Sequence, residues 1–344
     1  MTESIQSQSA PVVPDYNVGH PTTKPIAEDV KYLPSETARD TTASNRPFTL
    51  EHTDVAFFKQ HGYLIKRGLL ADQTSAIRKA NEYFWANVPG HGLRKDDPAT
   101  WVDKPTSHWR PEDHPRVGSL LGTNWKMRSR GESGIGTEAF LVDELANHPK
   151  MHDIASKFLG ARIKPVRRVR GIYGVLPLSD IAQDRMYPHG DYMASQLSAM
   201  VLLCDVGPRC GGFTVWPGSH RRMHMCWDRV SGSTITGDRV ERFPQERDQL
   251  LRDTRPVEFT GSAGDVIWWH PRLIHAAGVN YSSETDDPIV RMLTPIDYQR
   301  IGETYVDDLE FGPGPKYQWW VDTRNVLEDV ASTPDNLWRG WGFD

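Results

Sequence analysis

Leu197-Ser198-Ala199-Met200-Val201-Leu202-Leu203 is the stretch from which the fold is read. Leu197, Ala199, Val201 and Leu203 recur at every second position, the period of a strand and not of a helix. Gly211-Gly212 then turns the chain into Phe213-Thr214-Val215-Trp216, which Pro217-Gly218 ends. Val266-Ile267-Trp268-Trp269 follows a Gly264-Asp265 turn, and Ile289-Val290-Arg291-Met292-Leu293 supplies a further strand. Short strands separated by turn chemistry predict an antiparallel sandwich or barrel rather than βαβ units.

Upstream, the period is helical. Ile77, Ala80 and Phe84 form one stripe with Asp72 as the N-cap, and Gly62 to Arg67 reads as a short strand before it. A second helix is expected across 138–159, where Met151, Ile154, Ala155, Phe158 and Leu159 share a face and Gly160 follows at C′. Residues 88–136 read as irregular. Gly131, Gly134 and Gly136 lack both the leading apolar strand and the trailing Gly-Lys-Ser/Thr of a phosphate-binding loop.

Residues 1–46 are Pro-, Ser- and Thr-rich and read as a poorly ordered polar leader. Residues 47–300 form the main domain, with a charged, solvated insertion or lid near 228–256. Residues 301–344 carry Trp319, Trp320, Trp338 and Trp341 and are expected to pack back on that domain.

The 344 residues, 38% hydrophobic and 25% charged, read as one large soluble domain with extensions. A net charge of −5 gives no electrostatic case for nucleic acid. No run approaches membrane-spanning length and the N-terminus lacks an apolar signal region. Cys204, Cys210 and Cys226 fit neither a zinc spacing nor a disulfide framework. The expected setting is reducing and cytoplasmic. The oligomeric state stays open, a homodimer being one option.

The chemistry gathers on Tyr187-Pro188-His189-Gly190-Asp191. On a strand, residues i and i+2 point to one face, so His189 and Asp191 can reach one ion. His275 follows an apolar strand, from which a third ligand could enter a sandwich interior. Two imidazoles and a carboxylate with open positions suit non-haem iron(II). Arg291, central in a strand, needs an acidic partner there: either a protein carboxylate or a small dicarboxylate co-substrate.

The chain resembles the phytanoyl-CoA dioxygenase family of iron(II)/2-oxoglutarate oxygenases. The match is carried by His189-Gly190-Asp191, by Gly212 to Arg221, by Gly264 to His275, and by the opening run Phe57 to Leu70. It spans about 50–297. The resemblance implies a mainly β fold with flanking helices, built on a double-stranded β-helix (jelly-roll, cupin-like) core. It assigns iron(II) to His189, Asp191 and His275, and the distal carboxylate of 2-oxoglutarate to Arg291. His270 becomes a neighbour of a ligand, and His220 a structural hydrogen-bonding histidine. Dioxygen is the further co-substrate, with succinate and carbon dioxide as products. The presence of Asp191 favours hydroxylation, or desaturation, epoxidation or rearrangement, over halogenation, for which related enzymes keep a small residue there.

Two departures from the family pattern stand out. The turn Ser282-Ser283-Glu284-Thr285-Asp286-Asp287 lengthens the interval between His275 and Arg291, with Arg300 a poor substitute. Ala277 also stands where a hydroxyl is common.

For a small-molecule substrate, the residues near the metal in sequence are Tyr187, Tyr192, Met193, Gln196, Trp216, Arg222 and Trp269, an aromatic set suited to an apolar or ring-bearing molecule. Arg167, Arg168 and Arg170 read mainly as a solvated strand face. The competing readings are a cupin-type metalloenzyme that does not use 2-oxoglutarate, and a non-catalytic small-molecule-binding jelly-roll. Arg291 separates the first, and complete ligation argues against the second.

Overall fold

Alternation along the central strands sorts their side chains between two cores. In the computed structural model, which describes residues 26–38, 48–87, 92–102, 120–121, 124–127, 134–179, 186, 188–190, 196–226, 243–301 and 333–343, these strands build two sheets. In chain order the elements are β1 (Glu36–Thr37), α1 (His52–His61), β2 (Tyr63–Lys66), α2 (Thr74–Asn87), β3 (Leu120–Leu121), β4 (Asn124–Met127), α3 (Ala139–Leu141), α4 (Pro149–Leu159), β5 (Ile172–Val175) and β6 (Leu197–Leu202). There follow β7 (Phe213–Val215), α5 (Ser219–His224), α6 (Phe243–Asp253), β8 (Val257–Phe259), β9 (Val266–Trp269), β10 (His275–Ala277) and β11 (Arg291–Tyr298). The larger sheet runs β2-β9-β6-β11-β5-β4-β3 and the smaller β1-β8-β7-β10. Apart from the parallel β1–β8 pair, the pairings are antiparallel. This is the expected sandwich.

In β6, Leu197, Ala199 and Val201 face the helices, while Met200 and Leu202 face the smaller sheet. In β9, Val266 and Trp268 take the first side, Ile267 and Trp269 the second. Both faces of β6 and β9 are therefore buried, and these two strands read as near-continuous apolar runs. The outer core packs against Phe58 of α1, Ala80 and Phe84 of α2, and Ile154 and Phe158 of α4. A third cluster, with Trp216, Ile274, Ala276, Leu250 and Leu251, lies on the other face of the smaller sheet.

Several expectations change in detail. The helix expected across 138–159 is broken: α3 runs into a π-helical stretch, Val142–Ala146, and α4 restarts at Pro149. Proline has no N–H to continue a helix and suits a first turn, so the chain stops and begins again there. Gly160 does take the left-handed C-cap, at φ 61°. Helix α2 begins at Thr74, and Asp72 instead meets Lys150 Nζ at 3.0 Å.

The charged stretch 228–256 holds α6, whose Phe243, Arg247, Leu250 and Leu251 are buried, so this half is a packed helix and not a solvated insertion. Residues 227–242 fall outside the described residues. Within the leader, residues 26–38 lie on the domain: β1 adds to β8, Ala38 joins the inter-sheet core, and Ala27 N–H donates to Asp248 at 3.0 Å. Of the C-terminal tryptophans, Trp338 and Trp341 pack on Phe58 at ring distances of 6.1 and 5.4 Å. Trp319 and Trp320 lie outside the described residues.

Gly62 shows how the helical layer meets the site layer. It ends α1 at φ 80° with its N–H on Phe58 O, a conformation side chains resist. A Cβ there would also come within 2.3 Å of His220 Nδ1.

Candidate metal centre

His275 opens β10, and its strand partner across the smaller sheet is Val215 of β7. On its other side the backbone of His189 forms an antiparallel bridge, each N–H donating to the other residue's carbonyl at 2.9 Å. The bridge sets the two imidazoles side by side, ring centroids 4.6 Å apart. Because β10 alternates, Ile274 and Ala276 pack in the outer cluster while the His275 ring turns inward. There it meets Phe213 at 5.2 Å and Trp269 at 5.9 Å, both members of the inter-sheet core.

One hydrogen bond fixes the chemistry of that ring. His275 Nδ1 lies 2.8 Å from Leu273 O. A carbonyl only accepts, so Nδ1 carries the proton and Nε2 presents its lone pair, the form in which imidazole ligates metals. Asp191 lies outside the described residues, among which no three His, Cys, Asp or Glu gather as a metal group. The two placed histidines fit iron(II) in donor type, proximity and, for His275, tautomer.

Arg291 begins β11 with the same parity as Leu293, which belongs to the inter-sheet core. It is 2% exposed, so an unmatched charge here would be costly. Its Nε donates to Gly211 O at 2.6 Å and Nη1 to Tyr173 O at 3.1 Å, while Nη2 has no hydrogen-bond partner among the described residues. No protein carboxylate among them lies within ion-pair distance. Glu258, the nearby acid, is held by the N–H groups of Arg209 and Gly212 at 2.8 Å each. Burial pulls the Arg291 pKa down to about 10, which leaves it charged at neutral pH. The guanidinium thus fits an external carboxylate.

The long turn before Arg291 does not displace it. Asn280 Nδ2 donates to Val175 O (3.0 Å) and Ile289 O (2.7 Å), closing the loop at its base, and Arg291 keeps register opposite Val175. Arg300 is held elsewhere: its N–H donates to Gln196 and its Nη1 to Gly340 O.

The residues proposed from sequence to line the pocket separate. Trp269 faces the inter-sheet core beside His275. Trp216 packs in the outer cluster, against Tyr32 at 6.4 Å, on the face of the smaller sheet away from His275. Arg222 pairs with Glu246 and Asp253 of the α5–α6 layer, and Gln196 accepts from the Arg300 backbone. Tyr187, Tyr192 and Met193 lie outside the described residues. Arg170 is neither solvated nor turned to the site, since Asp297 takes it through two bonds of 2.7 and 2.8 Å.

Three interior residues were missed: Phe213, Tyr173 and Tyr63. Strand parity could have found them, because Tyr63 alternates with Ile65 and stands opposite Trp269.

Residues 58–285 match the family described as phytanoyl-CoA dioxygenase (PhyH), more than half of the chain. The chain belongs to the phytanoyl-CoA dioxygenase family. As a member it is an iron(II)- and 2-oxoglutarate-dependent oxygenase. The match stops before Arg291, whose case rests on its surroundings. Similar solved structures include EctD from S. alaskensis with 2-oxoglutarate and 5-hydroxyectoine (16% identity, 88% of this chain and 96% of that one, TM-score 0.47). Others are AviO1 from Streptomyces viridochromogenes Tue57 (17%, 74% and 97%, 0.45) and the carbocyclase SnoK from nogalamycin biosynthesis (18%, 74% and 85%, 0.43). No curated protein matches the chain.

Proposed function

We propose that this enzyme hydroxylates an unactivated C–H bond of a small-molecule metabolite or natural-product intermediate, releasing succinate and carbon dioxide. His189, Asp191 and His275 hold iron(II), and Arg291 takes the distal carboxylate of 2-oxoglutarate. The observation that carries the reading is His275, tautomerically fixed 4.6 Å from His189 and turned into the layer where Arg291 lies without a protein carboxylate.

The bound iron and 2-oxoglutarate supply the oxidising chemistry. The chain's own part is geometric. Leu273 O holds the proton on His275 Nδ1, the His189–His275 bridge fixes the ligand spacing, and Arg291 orients the co-substrate. Phe213 and Trp269 keep that side of the centre apolar and dry.

That wall suits an apolar or ring-bearing substrate; Arg170 is engaged with Asp297 and Arg222 with Glu246 and Asp253, while Arg167 stands exposed. Among the described residues no helix is long and apolar enough to cross a membrane, and the cysteines form no disulfide. A small metabolite as substrate and a reducing, cytoplasmic setting complete the proposal.

Anaerobic titration with iron(II) and 2-oxoglutarate tests the centre. A weak visible charge-transfer band is expected, and a folded protein that never develops it defeats the assignment. Succinate release across a compound panel then searches for the substrate.

A further inference from the structure

The turn between β9 and β10 is built on His270, a buried residue that the metal site does not use. Two hydrogen bonds close it: Leu273 N–H donates to His270 O at 2.9 Å, and Arg272 N–H donates to His270 Nδ1 at 3.1 Å. The His270 N–H in turn donates to Gly62 O at 2.8 Å, anchoring the turn to the end of α1. Since Nδ1 accepts, Nε2 carries the proton. The ring lies flat on Trp341 (5.2 Å, 14°) and edge-on to Trp338 (5.4 Å, 85°).

Residues 333–343 therefore form a strap over the turn, and they grip it twice. Arg272 Nη1 bonds His224 Nδ1, while His224 Nε2 reaches Thr333 O at 3.0 Å and Asn336 Oδ1 at 2.8 Å. Leu273, held in this way, supplies the carbonyl that accepts from His275 Nδ1.

We propose that His270 is a positioning residue for His275: by closing the turn through Nδ1, under the strap, it aims Leu273 O and so fixes the orientation of the metal-facing imidazole. The proposal rests on the reading of His275 as an iron ligand. Groups behind metal ligands typically change metal affinity by about 10–100-fold when replaced.

Two substitutions separate positioning from packing. His270→Asn returns a side-chain oxygen near the Nδ1 position, so the turn can still close. His270→Gln extends its amide to the Nε2 position, keeping a group for the strap but leaving Arg272 N–H without its acceptor. Both are studied in the full-length, metal-free chain by anaerobic calorimetric titration with iron(II) alone, then by the charge-transfer band on adding 2-oxoglutarate. His275→Ala is the control.

His270→Asn is expected to bind iron(II) nearly as the parent does, and His270→Gln about 10–100-fold more weakly with a displaced band. Equal iron(II) affinities in the two variants, with His275→Ala unable to bind, overturn the proposal and leave the metal site standing. Parent-like iron(II) binding by His275→Ala overturns the metal site and the proposal with it.

Discussion

Two groups of histidines flank the strand β10, and they are arranged for opposite ends. His220, His224 and His270 lie under the C-terminal strap with their rings committed to the fold. His224 has both nitrogens hydrogen-bonded, His270 accepts at Nδ1 from Arg272 N–H, and His220 donates from Nε2 to Lys59 O with Nδ1 sealed against Gly62. His189 and His275 face one another between the sheets, and His275 gives Nδ1–H to Leu273 O. The residue type alone does not separate the groups. What separates them is what each ring faces: the strap and α1 for the outer three, the partner imidazole for the inner two.

The most damaging way to probe that contrast is to remove an inner histidine. His275→Ala is expected to abolish iron(II) binding in the anaerobic titration and cut turnover by at least about a thousandfold, given the several kcal/mol a metal centre supplies. Next comes Arg291→Ala. Charge-assisted bonds contribute roughly 1.5–3 kcal/mol each, so losing even one should weaken 2-oxoglutarate about 10–100-fold while iron(II) affinity holds. Lysine cannot reproduce the fork held by Gly211 and Tyr173, and Arg291→Lys should recover little of that loss.

The outer group predicts an acid sensitivity of the fold itself. Burial first, then the nearby Arg221 and other histidines, push His220 down to about 3. Burial and then Arg272 push His224 to about 4, and burial above all carries His270 well below the ordinary 6.5. Each ring is neutral in the folded chain but takes a proton near 6.5 once unfolded. Their contribution is therefore complete above about pH 6.5 and is lost as pH falls toward the folded values. Denaturant unfolding of the metal-free chain across pH 7 to 4 should show this decline, and His224→Gln should flatten it. The smallest effect belongs to the outer face of the smaller sheet, where Trp216→Phe should leave both iron(II) and 2-oxoglutarate titrations within about twofold; a larger change would place Trp216 at the centre after all.

Much of this was readable from residues. Alternation at Leu197 to Leu203 announced the sandwich, and the inward parity of Arg291 and Trp269 follows from the same period. The packed half of 228–256 was legible too: Phe243, Arg247, Leu250 and Leu251 keep helical spacing, and a reading led by charge density passed over it. Trp216 misled because closeness in sequence to a motif says nothing about the face of a sheet on which a side chain emerges. The bond from His275 to Leu273 O, and the strap's hold on His224, could not have been read at all. They join ring nitrogens to main-chain carbonyls, which every residue carries.

The pairing of β1 with β8 has a practical consequence for anyone shortening this chain. Glu36 N–H donates to Pro256 O at 2.9 Å and Ala38 N–H to Glu258 O at 2.8 Å, so this short piece from outside the family match occupies an edge of the smaller sheet. Expressed from residue 48 onward, the protein would present that row of carbonyls as a template for another molecule's strand. The piece that looks most dispensable is the one that keeps neighbouring copies from adding to the sheet.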